Sequence, residues 1–338
     1  MDHSRVKAIH PRKAVEGGRI VIHGADFPVG ARLPDVRIAD RVARVVFASS
    51  TRLEVIVPTG TGKSGAATVN VDGAASEAFV EVAGPFATGL HQVDNPAFDH
   101  DGNLYVTYSG TRGQQAPVSI FRVRPDGMRE TFSSGVVNPT SMAIDPAGQL
   151  YVSSRFEGVV YRVASDGSAK PFATDLGVAC GLVFAPDGTL FVGDRSGTIF
   201  KVATDGRANA FAILPSSVAA FHLALGPDGS LYVTGPTLAS RDAVYRVSPA
   251  GELSIVSRWF GRPQGLAFDA AGTLFVVEAL AGASGLYRVE KDPGDKVEKA
   301  QPELTVSGPD LIGVAFDRRG GLVVCSSESA YRFGYQVV

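Results

Sequence analysis

From residue 90 onward the chain repeats one phrase six times: a short apolar run, a turn that ends in glycine, then a second apolar run. The turn glycines are Gly102, Gly148, Gly188, Gly229, Gly272 and Gly320, at spacings of 46, 40, 41, 43 and 48 residues. A regular period of this length with several strand signals per unit specifies a β-propeller, in which each repeat supplies one four-stranded blade. In the third repeat the strands read as Leu182-Val183-Phe184, Leu190-Phe191-Val192, Ile199 to Val202 and an edge near Ala208 to Ile213. Asp-Gly turns such as Asp187-Gly188 join them, aspartate capping the turn and glycine accepting a positive φ. The recurring Asp99, Asp145, Asp269 and Asp317 have the same turn role.

The sixth repeat lacks an edge strand, because the chain ends soon after Tyr331-Arg332-Phe333. The missing strand is found at the front. Pro85-Phe86-Ala87-Thr88-Gly89-Leu90 nearly duplicates the edge strand Pro171-Phe172-Ala173-Thr174-Asp175-Leu176. Residues 85–90 are therefore expected to complete the last blade and clasp the ring, which protects its edges. This predicts a six-bladed propeller over residues 85–338 and a boundary at 84/85.

Residues 1–84 carry short alternating runs at Val6 to Ile9, Arg19 to His23, Val36 to Ile38, Val42 to Phe47, Leu53 to Val57 and Ala67 to Val71. Six or seven such strands in this length describe an immunoglobulin-like β-sandwich, so the fold class is all-β. Ile9-His10-Pro11, the stretch Glu16-Gly17-Gly18 to Gly24-Ala25-Asp26-Phe27, and Leu53 to Pro58 resemble the IPT/TIG family. That resemblance implies a spacer or docking module, and through it another protein as a partner. Thr59-Gly60-Thr61-Gly62-Lys63-Ser64 has part of a phosphate-loop spelling but lacks its glycine spacing and a following helix, and reads as a hairpin turn.

Charge excludes one class of partner. Residues 1–84 carry 11 Lys+Arg against 9 Asp+Glu and residues 85–338 carry 21 against 25, far from the positive excess that a phosphate backbone demands. No apolar stretch approaches a membrane span. The start Met1-Asp2-His3-Ser4-Arg5 shows no signal peptide. This points to the cytoplasm, or to the periplasm or exterior if a leader was trimmed. Cys180 and Cys325 fall in repeats three and six, on opposite sides of a six-fold ring, so a disulfide between them is not expected.

Register locates the chemistry. Four places before the last apolar residue of each innermost strand stand Asp94, Thr140, Cys180, Phe221, Gln264 and Ile312. One place further on are Asn95, Ser141, Gly181, His222, Gly265 and Gly313. Loops on the same face add Arg155, Asp194, Arg195 and Glu278. These define a funnel in which Asp94, Asn95, Thr140, Arg155, Cys180, Asp194, Arg195, Phe221, His222, Gln264 and Glu278 are candidate ligand contacts. Trp259 and Phe260 add aromatic surface to one side, and arginines at the mouth suit an anionic group. The expected ligand is a small polar molecule, a glycan or a peptide.

Gly181-Leu182-Val183-Phe184-Ala185-Pro186-Asp187-Gly188 and Gly265-Leu266-Ala267-Phe268-Asp269 resemble the NHL and gluconolactonase (senescence marker protein) group of propellers. That resemblance implies a second function, metal-dependent hydrolysis of a lactone or phosphotriester. Its cation ligands fall on Asp94, Thr140, Cys180 and Gln264, so Asp94, Thr140 and Gln264 become an altered site for a divalent cation such as Ca²⁺. Asp94 and His222 are then the catalytic candidates, His222 as general base. One carboxylate, an amide, a hydroxyl and a thiol are a poor set for a hard cation. Recognition without a required cofactor is accordingly the first reading and hydrolysis the second.

Overall fold

The computed structural model describes residues 5–61, 65–72, 74–290 and 301–334. Gly62-Lys63-Ser64 of the Thr59–Ser64 turn lie outside them. Every regular element among the described residues is a strand. Repeats one, two, three, four and six form separate four-stranded antiparallel sheets. Repeat five supplies a similar run, Pro263–Phe268, Leu274–Glu278, Gly285–Val289 and Glu303–Ser307, which is continuous with a larger sheet. The innermost strands touch in chain order, and that of repeat six, Leu311–Phe316, touches that of repeat one, Ala97–Phe98. The sheets therefore stand as a propeller-like ring.

Local chemistry explains the regularity. All six turn glycines have φ between 75° and 88°, a region glycine enters without steric penalty. Asp145 shows how the turn is held, its Oδ1 accepting the Ala147 and Gln149 N–H groups at 2.9 Å each. Asp99, Asp269 and Asp317 repeat this arrangement. The apolar core is divided among the gaps between sheets. Ile120, Met142 and Val152 fill the first gap, Leu182, Leu190 and Val160 the next, and Val106, Val323 and Ala330 the last.

The clasp forms as its sequence implies. Pro85–Thr88 pairs antiparallel with Ser329–Phe333, with Ala87 opposite Ala330 and Thr88 opposite Ser329. Phe86 lies under the Arg332 guanidinium, 5.4 Å from ring centroid to charge. The N-terminal part has its own core, with Ile20, Ile22, Leu53, Val55 and Val69 fully enclosed.

One junction has no counterpart in the sequence reading. Lys13–Val15 lies parallel to Ala74–Ala83 on one side and parallel to Glu303–Ser307 on the other, Ala14 facing Ser307. The outer edge of repeat five is thereby covered by the sandwich, and one sheet runs through both parts. Val15 and Ala83 also pack with Val277, Leu286, Val306 and Phe333. The front module is fused to the ring by backbone pairing and shared core.

Candidate functional site at the channel mouth

Each innermost strand descends from its connecting loop toward the Asp-Gly turn, so sequence order along it is depth in the channel. A cavity of about 320 Å³ opens at the loop end, with Arg155, Cys180, Arg195 and Gln264 as its polar lining. A second cavity of about 340 Å³ lies further along, bounded by Asn95, Ser141, Leu182, Leu223, Leu266 and Val314 among others. Asp94 sits between Val93 of the first cavity and Asn95 of the second. His222 sits between Ala220 of the first and Leu223 of the second.

Those two residues meet. Asp94 Oδ1 accepts the Asn95 N–H at 2.7 Å and is in short contact with His222 Nδ1. Asp94 is 1% exposed and His222 fully enclosed. Repeats one and four stand opposite each other in the ring, so the bond crosses the channel. A carboxylate only accepts, so Nδ1 carries the proton; the remaining ring nitrogen, Nε2, is buried with no partner among the described residues. Glycines at the same depth permit the close approach. A Cβ on Gly265 would collide with Asn95 Oδ1 and the Ile312 carbonyl, and one on Gly313 would lie 2.6 Å from the Asp94 carbonyl.

Most other sequence-selected residues hold the ring together. Asn95 bridges three repeats, its Nδ2 donating to the Leu266 carbonyl and its Oδ1 accepting the Val314 N–H, both at 2.9 Å. Thr140 donates to the Asn138 carbonyl at 3.1 Å. Asp194 accepts the Val178 N–H at 2.8 Å and bonds Ser196. Glu278 takes three loop N–H groups, from Gly261, Arg262 and Leu280, at 2.6 to 2.8 Å. Both carboxylates therefore act as loop anchors, at 5% and 1% exposure. Phe221 is packed in the core between repeats three and four. Trp259 and Phe260 pack on each other and on Tyr287 in the next gap. None of these aromatic rings lines the cavity.

Four selected residues do line it, and their electrostatics are one-sided. The side chains of Arg155 and Arg195, and of nearby Arg112, make no hydrogen bond or ion pair among the described residues. Burial lowers the pKa of Arg155; Cys180 opposes that lowering, and the like charges of Arg195 and Arg112 add to it. Burial pushes the Cys180 thiol up to about 12, and Sγ donates to the Val178 carbonyl at 3.2 Å. The thiol is neutral near pH 7 and is no counter-ion for the arginines. Sequence reasoning missed the walls between these polar groups. Val93, Val178 and Val218 to Ala220 lie in the loops just ahead of the innermost strands, where no periodic signal marks them.

The cation site implied by resemblance fits poorly. Asp94 is its one carboxylate, already engaged by His222 and Asn95, and the Thr140 hydroxyl is directed at Asn138. A cation there would have to displace the His222 contact.

Residues 4–84 match the IPT/TIG domain family. No curated protein matches the chain. Among solved structures, an auxiliary nutrient binding protein from Bacteroides ovatus ATCC 8483 is 14% identical with a TM-score of 0.55, over 99% of each chain. A putative gluconolactonase is 17% identical with a TM-score of 0.59, over 74% of this chain and 90% of its own. Virginiamycin B lyase from Staphylococcus aureus is 14% identical with a TM-score of 0.52, over 73% of this chain and 96% of its own. At such identities these likenesses establish architecture. The chain is an all-β protein with an IPT/TIG domain at its front and a propeller-like ring of sheets behind it.

Proposed function

We propose that this chain is a recognition protein. Its ring acts as a six-bladed propeller over residues 85–338 whose mouth binds a small polar molecule, glycan or peptide, and residues 1–84 serve as the docking or spacer module. The observation that carries this reading is the mouth cavity itself. About 320 Å³ is within the range of small-ligand sites, and two arginines and an amide line it without competing partners. The likeness to an auxiliary nutrient binding protein over nearly the whole of both chains supports the same reading. Turnover is the weaker alternative, because both catalytic candidates, Asp94 and His222, lie enclosed beneath the cavity and are engaged with each other.

The test is a thermal-shift screen with small acids, oligosaccharides and short peptides, repeated on Ala220→Trp, which fills the cavity. Any binder should lose its shift in that variant. Binders that are indifferent to Ala220→Trp would place recognition elsewhere and refute the proposal.

A further inference from the structure

The cavity lining narrows the ligand beyond the class just proposed, and the narrowing rests on that reading of the mouth. Its charged groups are Arg155 and Arg195, with Arg112 close by, and no carboxylate is among the lining residues. The acids next in sequence to lining residues Val93 and Arg195 are committed elsewhere, Asp94 to His222 and Asn95, Asp194 to Ser196 and the Val178 N–H. Two guanidinium groups with free donors, Arg155 half-buried and Arg195 exposed at the rim, favour an oxyanion, which they can bind in forked geometry.

The rest of the lining sets the body of the ligand. Val93, Val178, Val218, Ala219, Ala220 and Ile312 present only apolar side chains. Gln264 is the one lining side chain that is both a strong donor and a strong acceptor, since Cys180 has only a weak thiol, already given to the Val178 carbonyl, and no hydrogen bond engages the Gln264 amide among the described residues. A polyhydroxylated ring would need an acceptor for nearly every hydroxyl, and burying hydroxyls unpaired is unfavourable. Among the lining side chains the arginines supply none, and the one amide oxygen leaves most hydroxyls to loop carbonyls.

We infer that the mouth cavity binds a small organic acid, a carboxylate carried on a compact apolar body, with Arg155 and Arg195 holding the carboxylate and the valine–alanine–isoleucine wall holding the body. Gln264 then selects among bodies that carry one polar substituent.

Phenylacetate and its neutral isostere phenylacetamide separate charge from shape, and galacturonate supplies the same charge on a polyol. Calorimetric titration of the full chain should give binding of phenylacetate, at least tenfold weaker binding of phenylacetamide, and weaker binding still of galacturonate. Arg155→Gln or Arg195→Gln should weaken phenylacetate by roughly 10- to 100-fold, the loss of one charge-assisted bond, while leaving phenylacetamide within about threefold. Arg155→Lys should fall between, because it keeps the charge and loses the fork. Thermal midpoints within a few degrees of the parent would show each variant folded.

Equal affinity for acid and amide, or indifference to both arginine substitutions, overturns the inference. So does tighter binding of galacturonate than phenylacetate, or no response to phenylacetate at about 50 mM, where even a weak site of millimolar affinity would saturate. In each of these cases the broader recognition reading survives if a neutral glycan or peptide binds the parent and is blocked by Ala220→Trp.

Discussion

Replacing Asp94 by alanine removes the acceptor at the centre of the channel. Two buried donors lose their partner, the Asn95 N–H and the His222 Nδ1–H. Each orphaned donor costs about 1–3 kcal/mol, so Asp94→Ala should destabilise the protein by about 2–6 kcal/mol. Asp94→Asn keeps an acceptor oxygen and loses the negative charge, and should cost about 1 kcal/mol. His222→Phe keeps the ring volume and removes the orphaned Nε2, but leaves the buried Asp94 carboxylate short of one charge-assisted bond, so its cost should be comparable, about 2–4 kcal/mol. Because both single substitutions destroy the same bond, the double variant should be little worse than Asp94→Ala alone. The coupling should reach about 2 kcal/mol. Trp259 is the single tryptophan, packed between repeats four and five, and its emission can follow guanidinium unfolding. A cooperative transition with unchanged denaturant slope is required before energies are compared. Single-variant costs that add within about 0.5 kcal/mol would show that Asp94 and His222 do not form the cross-channel bond.

Two other predictions address different parts of the molecule. Burial, reinforced by the Arg155 charge and opposed by Glu328, lowers the pKa of His91 below 6.5; the unfolded chain therefore binds the extra proton first as pH falls. Stability should drop on acidification through and below pH 6.5, and His91→Gln should flatten that part of a stability-versus-pH curve; an unchanged slope would refute the shift. Ala14→Pro removes a backbone donor from a strand that is paired on both sides and should cost about 1–3 kcal/mol, with calorimetry resolving separate sandwich and ring transitions; a single transition at the parent midpoint would show that this junction does not couple the two parts.

The sequence made the ring legible because its signals are local and repeated. Asp-Gly turns and alternating apolar runs act within a few residues, the spelling of Pro85-Phe86-Ala87-Thr88 repeats that of an edge strand, and the edge strand Ala208–Ile213 falls where it is expected. Lys13–Val15 escaped because three residues between Pro11 and Gly17-Gly18 carry no period of their own. Their pairing with Glu303–Ser307 is decided only when distant parts of the chain meet. Ala74–Ala83 escaped for a different reason: alanine, serine and glutamate are weak strand formers, and pairing with Gly65–Val71 imposes the extended form.

The site was legible in depth but not in direction. Register placed Asp94, Thr140, Cys180 and Gln264 at one level, yet it does not say which way a carboxylate turns. Asp194 and Glu278 look like rim ligands in sequence and fold back onto loop N–H groups instead. The Asp94–His222 bond joins residues 128 apart, on repeats that no periodic argument pairs.

What separates recognition from support in this channel is hydrogen-bond satisfaction. Asn95, Thr140, Ser141, Ser153 and Thr234 all reach backbone groups, several of them across to the next sheet. Buried polar groups satisfied in this way tie neighbouring sheets together, and replacing any of them should act first on stability. Arg155, Arg195 and Gln264 do the opposite. They face the cavity without partners, and the like charge of Arg195 adds to burial in lowering the pKa of Arg155. Asp194, one residue from Arg195, is turned away from that pair to its own loop. The unpaired arginines therefore face the mouth cavity, with the Asp94–His222 crossing beneath it.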